Sequence, residues 1–342
     1  MTEPTDLSSL ESTPTRTEGS ARQLVTVSRS ALSRAVHADV VGLALVYLVL
    51  LVFLSATTRY FLSFDNIGNL LREMSVLGIL AVGQTLVILR AEIDLSVGSV
   101  LALSSVAGAM ASGAGWPTIA VIGVALLVGA GFGVANGLLV SRGGVSSLVV
   151  TLGTMTVAYG IALLVTGGGP QSIRTGELEV LGQGGVGFVP YQFIIMSMVV
   201  LAGALALRFT VFGRSLYAVG DNKQAALLNG INVDLVTVGV FTISGLLAAF
   251  GGLLLAGQFS TADPTIGTNF NLRSIAAVVI GGTSLFGGVG GVTGTALGAA
   301  LIATLANGLV HFNVQSAWQE VITGLVIVAA VLIDQFRVRR RG

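Results

Sequence analysis

From about residue 41 to residue 334 the chain alternates apolar runs with short polar breaks, and this constrains its fold more than any other feature. A bilayer core of about 30 Å needs about 20 apolar residues per helix. Runs that meet this lie near 41–58, 67–89, 94–112, 117–140, 146–166, 189–208, 233–258, 270–286, 292–310 and 316–334. Only 10% of the residues are charged, too few to cover a soluble surface. The fold class is therefore all-α: a polytopic membrane protein of about ten transmembrane helices, embedded in the lipid bilayer. The apolar run at 41–58 starts too late and is too long for a typical cleaved signal peptide, so it is a retained first span. Residues 1–37, rich in Ser, Thr, Glu and Arg, form a disordered tail. Residues 38–336 form the membrane domain, with halves at about 41–188 and 189–336, and 337–342 form a basic tail.

Charge placement orients the spans. With the amino terminus inside, 13 of the 17 Lys and Arg fall on the inner side, Arg90, Arg142, Arg208, Arg214 and Lys223 among them. Arg59, Arg72, Arg174 and Arg273 fall on the outer side. The bias puts both termini inside and requires an even number of spans, which eight would also satisfy.

Two segments resemble each other. Gly78–Ser99 ends in Asp94-Leu95-Ser96-Val97-Gly98-Ser99, and Gly245–Thr268 ends in Asp263-Pro264-Thr265-Ile266-Gly267-Thr268. Each opens Gly-Ile/Leu-Leu-Ala. The first ending follows the second span on the inner side; the second follows the seventh on the outer side. The copies thus point opposite ways, and inverted repeats with interrupted helices mark transporters. Chance in a composition rich in Gly, Ser and Val is the competing account. Asp94, Ser96, Asp263 and Thr265 are placed to accept N–H groups of a first helical turn. They are also placed to line a path for a polar solute, and the two roles are compatible.

Several chemistries are excluded. The single lysine, Lys223, lies in no phosphate-binding loop, and there is no GxSxG elbow. Two distant histidines and no cysteine make no zinc site. Gly281–Gly291 is glycine-rich, but no strand precedes it, and a tight turn between helices accounts for it better than a phosphate cradle. Nothing points to nucleic acid. Acidic side chains gather near span ends, where a proton-driven carrier buries them mid-span; that favours an external energy source.

The polar run Gly213–Ile231 is the inner loop most open to a partner. Within it Asn222, Lys223, Gln224, Ala225, Ala226, Leu227, Leu228 and Asn229 form a short helix, with Gly230 placed to end it. An ordinary surface helix and a contact for a separate motor fit this loop equally.

Taken together, Glu92–Ser99 (EIDLSVGS), Gly213–Ile231, Ile275–Gly288 (IAAVVIGGTSLFGG) and Leu332–Phe336 (LIDQF) resemble the ribose/xylose/arabinose-type permeases of bacterial ABC importers. These belong to the branched-chain amino acid/ribose permease superfamily. The likeness covers about 41–336. Gln224-Ala225-Ala226 through Gly230 resembles the Glu-Ala-Ala…Gly loop of such permeases, with Gln where the Glu stands. Glu92 occupies a position where these permeases carry a small Gly.

The resemblance implies a transport subunit, not an enzyme, translocating a pentose or similar small sugar or polyol across the bacterial inner membrane. It implies a tandem-domain ATPase inside that holds ATP and Mg, an extracytoplasmic solute-binding protein, and a second copy of the permease. The ATPase-coupling loop would be 222–230. A neutral sugar calls for hydroxyls and amides, so the candidate path residues are Gln84, Asp94, Ser96, Ser99, Asn136, Thr154, Asp263, Thr265, Asn271 and Asn307, with Thr85, Thr151 and Thr156 beside them. For each of them a hydrogen bond between helices is the commoner role of a polar residue in a membrane. The alternative is an ion-coupled secondary carrier using Asp94 and Asp263.

Overall fold

The computed structural model describes residues 40–339. The tail at 1–37 and residues 340–342 lie outside the described residues. Ten helices occupy the ten expected segments. They are α1 (Val40–Thr57), α2 (Phe64–Leu89), α3 (Val97–Gly113), α4 (Thr118–Ser141), α5 (Ser147–Thr166), α7 (Tyr191–Phe209), α10 (Val233–Phe259), α11 (Phe270–Ile280), α12 (Val292–His311) and α13 (Ser316–Arg339). Among the described residues, α1, α2, α4, α5, α7, α10 and α12 are long and apolar enough to cross a membrane. The protein is an all-α polytopic membrane protein.

Two segments are shorter than expected. At about 1.5 Å per residue, the 11 residues of α11 reach only halfway through a bilayer. The 17 residues of α3 start three positions after the expected 94. α3 starts at the fourth residue of the first motif and α11 just after the second, so each motif spends its opening residues on a break ahead of a short helix.

Burial is arranged for lipid. α2 and α10 form the enclosed centre, while α4 and α5 turn Ile119, Leu127 and Leu164 outward. A stripe on α4, Gly129, Gly133 and Gly137, lies directly on Gly245, Phe241 and Val238 of α10. Small residues four apart let two backbones approach where apolar solvent supplies no hydrophobic drive.

The connection after α5 is more ordered than its breakers imply. It holds a short helix, α6 (Gly176–Gln183), packed on the end of α10. Its Gln171–Ser172 pairs antiparallel with Thr261–Ala262 just ahead of the second motif. The polar loop at 213–231 is likewise two helices, α8 (Val211–Asp221) and α9 (Lys223–Leu228), divided at Asn222.

Arg90, counted among the inner-side cations, is buried: its Nε donates to Thr237 Oγ1 at 3.0 Å and a guanidinium nitrogen lies 3.7 Å from Glu92. The left-handed backbone at this corner belongs to Ala91, whose φ is 65°. A Cβ in this left-handed region costs roughly 1–2 kcal/mol. Ala91→Gly is therefore expected to raise the thermal midpoint of the detergent-solubilised protein by about 1–3 °C. A midpoint that falls would show that the methyl group holds this turn.

Candidate functional site

Both motifs fold into the same small turn. The Asp94 carboxylate accepts the Ser96 N–H at 2.9 Å and the Ser96 hydroxyl at 2.6 Å through one oxygen. The Asp263 carboxylate accepts the Thr265 N–H and hydroxyl, both at 2.7 Å, in the same way. Each Asp thus closes a turn two residues ahead; neither caps the helix that follows. Acidic and hydroxyl side chains favour such local bonds over helix continuation, which is why the chain breaks here.

The breaks meet. The backbones of Gly98 and Gly267, the fifth residues of the two motifs, touch directly, and a methyl group on either would overlap the other's carbonyl. The two glycines that looked like ordinary motif positions are the contact between the two copies.

Three side chains from neighbouring helices close on the first turn. Gln84 of α2 pairs its side-chain amide with the Asp94 backbone, donating to the carbonyl at 3.1 Å and accepting the N–H at 3.3 Å. Asn136 of α4 donates to Ser96 Oγ at 2.9 Å, and Ser244 of α10 donates to the second Asp94 oxygen at 3.0 Å. Gln84, Asp94, Ser96, Asn136 and Ser244 are all 1% exposed or less. The hydrogen bonds fix one geometry for the turn, although the buried Asn136 Oδ1 is left without a partner. Four of the candidate path residues thus belong to a clamp that three helices close on the first break. The second turn is looser: Thr265 is exposed and the Asp263 side-chain bonds run to Thr265.

A cavity of about 310 Å³ opens beside the Gly98–Gly267 contact. Ser99 from the first turn of α3, Thr268 from the second motif and Asn271 from the first turn of α11 line it, with Met155, Thr156 and Tyr159 from one face of α5. Ser99 and Thr268 are the sixth residues of their motifs, so each copy contributes a hydroxyl. No charged side chain lines this cavity. Neutral donors and acceptors with one aromatic face suit a polyhydroxylated solute.

The remaining candidates stand elsewhere. Asn307 of α12 exchanges two amide hydrogen bonds with Asn66 of α2, at 2.9 and 3.1 Å. Thr85 meets Thr295 at 2.7 Å, again joining α2 to α12. Thr151 donates to its own helix at Ser147. Thr154 lines a separate apolar groove of about 620 Å³ between α3, α4 and α5. Sequence reasoning missed Ser244, Thr268, Met155 and Tyr159. Ser244 was detectable as the polar residue just before the second repeat's opening glycine. Met155, Thr156 and Tyr159 share a helical face at spacings of three and four.

In α9, Asn222 accepts the Ala225 N–H at 3.0 Å and so caps the start. At the other end Ile231 N–H bonds to the Ala226 carbonyl at 3.1 Å and Gly230 N–H to Leu227 at 3.0 Å, with Gly230 at φ 78°. This is the Schellman closure that a glycine at this position allows. Ala226 is 3% exposed, packed with Val219, Val233 and Ile231, whereas Leu227 and Leu228 face outward.

Helices interrupted in pairs beside an uncharged cavity that carries a few hydroxyls and an amide, within a bundle whose outside is apolar, define a polytopic membrane transport protein. Residues 66–331 match the family described as the branched-chain amino acid transport system / permease component, and the chain belongs to it. It is 43% identical over 295 residues to the ribose import permease protein RbsC of Haemophilus influenzae, covering 84% of this chain and 91% of that one. Against the ribose import permease protein RbsC of Escherichia coli K12 the identity is 40% over 291 residues, with the same coverage. The xylose transport system permease protein XylH of Escherichia coli K12 is 33% identical over 362 residues, covering 88% and 92%. No solved structure matches the chain.

Proposed function

We propose that this chain is the membrane-spanning permease subunit of an ATP-binding cassette importer that carries a pentose or similar small sugar or polyol inward across the bacterial cytoplasmic membrane. The observation that carries the reading is its likeness, over most of its length, to permeases of two different pentoses. The cavity agrees in chemistry, since hydroxyls, an amide and a tyrosine ring can follow a neutral sugar without paired charges. Ser99, Thr156, Tyr159, Thr268 and Asn271 are its solute contacts in this reading. Gln84, Asp94, Ser96 and Asn136 hold the wall behind them.

ATP and Mg belong to a separate tandem-domain ATPase on the cytoplasmic side, as the resemblance to sugar-importer permeases implies. That ATPase engages 222–230. A solute-binding protein delivers sugar from outside, a second copy of the chain completes the channel, and both termini are cytoplasmic. The test is uptake in proteoliposomes holding the chain, its ATPase and its binding protein. Labelled ribose, xylose and arabinose are offered against a hexose, with and without ATP. ATP-dependent pentose uptake that ignores an uncoupler is expected. Uptake driven by a proton or sodium gradient without the ATPase would instead assign the chain to secondary carriers.

A further inference from the structure

The inference rests on the reading that α8 and α9 face the ATPase. α8 ends at Gly220–Asp221, and Gly220 lies directly on the carbonyl of Leu89, the last residue of α2. That same carbonyl accepts the N–H of Gly288 at 3.0 Å. A Cβ at Gly287 would lie 2.8 Å from both the Gly220 carbonyl oxygen and the Ala91 methyl, and Gly288 packs on Asp221. One turn back on α8, the Tyr217 hydroxyl donates to the Gly290 carbonyl at 2.7 Å. Burial pushes this phenol above its usual range, so it stays protonated and remains a donor.

Three segments therefore meet backbone to backbone: the end of α8, the Leu89–Ala91 corner, and the turn between α11 and α12. The corner runs within five residues into Asp94 and the first break. The turn follows α11, whose other end abuts the second break. Both sides of the Gly98–Gly267 contact are thus tied to α8. A side chain at 220 would part the three segments, and the positive φ of Gly287 and Gly288 lets the turn reach them.

We propose that Tyr217, Gly220 and the 287–290 turn form a rigid joint through which the ATPase-facing helices move both half-helix motifs as one body, with Tyr217 as its positioning residue. A hinge at Gly220, letting α8 swing alone, is the rival arrangement.

The chain has no cysteine, so an introduced pair is unambiguous. A Cβ built at Gly288 lies 3.2 Å from that of Asp221, just under the usual disulfide span of about 3.5–4.5 Å. In the complete importer, Asp221→Cys with Gly288→Cys is oxidised, and ATP-driven uptake of tritiated ribose is expected to stay within about twofold of the reduced form. Uptake lost on oxidation and regained on reduction would overturn the joint. The second variant, Tyr217→Phe, removes one hydrogen bond, worth about threefold to tenfold in an equilibrium. Sugar moved per ATP hydrolysed is expected to fall by that factor while hydrolysis continues. An unchanged ratio overturns the role of Tyr217, and it decides the matter if the cysteine pair does not insert. A wild-type importer without ATP-driven uptake would overturn the functional reading first, and the joint with it.

Discussion

Valine in place of Gly267 should abolish sugar uptake, by at least about a hundredfold, in a chain that still inserts. The Gly98–Gly267 contact is reciprocal, with each α-carbon lying against the other's carbonyl. Neither neighbour is the end of a flexible side chain that could move aside. Overpacking a filled core ordinarily costs about 1–3 kcal/mol; here the obstacle is backbone, and relief requires the two breaks to separate. The first cannot yield easily, because Gln84, Asn136 and Ser244 hold its turn from three helices. The second turn is looser and would be displaced, taking Thr268 and Asn271 with it and reshaping the cavity wall. Gly98→Val should act alike. Gly123→Val is the control, since open space surrounds that position, and it should leave uptake unchanged. Transport in membrane vesicles, normalised to inserted protein, reads the result. Near-normal uptake by the Gly267 variant would show that the contact is absent from the working state.

How much of this was legible beforehand depends on whether the signal is local. Segment positions were readable because a run of twenty apolar residues is a local property. So was the far end of α9, where the left-handed Gly230 acts within four residues, whereas Asn222, read as part of the helix, caps it. The pair of motifs could also be found, since Asp94–Ser96 and Asp263–Thr265 bond within themselves. What the motifs touch was not readable. Nothing near Gly98 in sequence announces Gly267, 169 positions later. The burial of Arg90 was hidden for the same reason: Thr237, on a distant helix, is its hydrogen-bond partner. The length of α11 escaped because Gly281 and Gly282, where it ends, are compatible with a membrane helix. Polar residues in spans proved ambiguous in the way lipid makes them, since Asn307 and Thr85 join helices with the chemistry that Ser99 and Asn271 present to a cavity.

Leu228→Asp should uncouple the importer while leaving this chain folded. Ala226 is the position that the Ala-Ala pattern singles out, but an aspartate there would enter the packing of Val219 and Val233 and damage the loop itself. Leu228 is different: 90% exposed, it offers its whole side chain to the aqueous side, with Leu227 half exposed beside it. Fully burying one leucine is worth about 1.5–3 kcal/mol, so losing that burial weakens association by about ten- to a hundredfold. A carboxylate left in an apolar socket weakens it further. An exposed surface substitution ordinarily changes stability by no more than about 0.5 kcal/mol, so the thermal midpoint of the isolated chain should not move. ATPase co-purification, binding-protein-stimulated hydrolysis and sugar uptake should fall together, each by about tenfold or more. Leu228→Ala, which removes the burial without adding charge, should fall between the two. An aspartate variant that binds its ATPase and transports like wild type would mean that the motor grips another surface, and the role assigned to 222–230 would go with it.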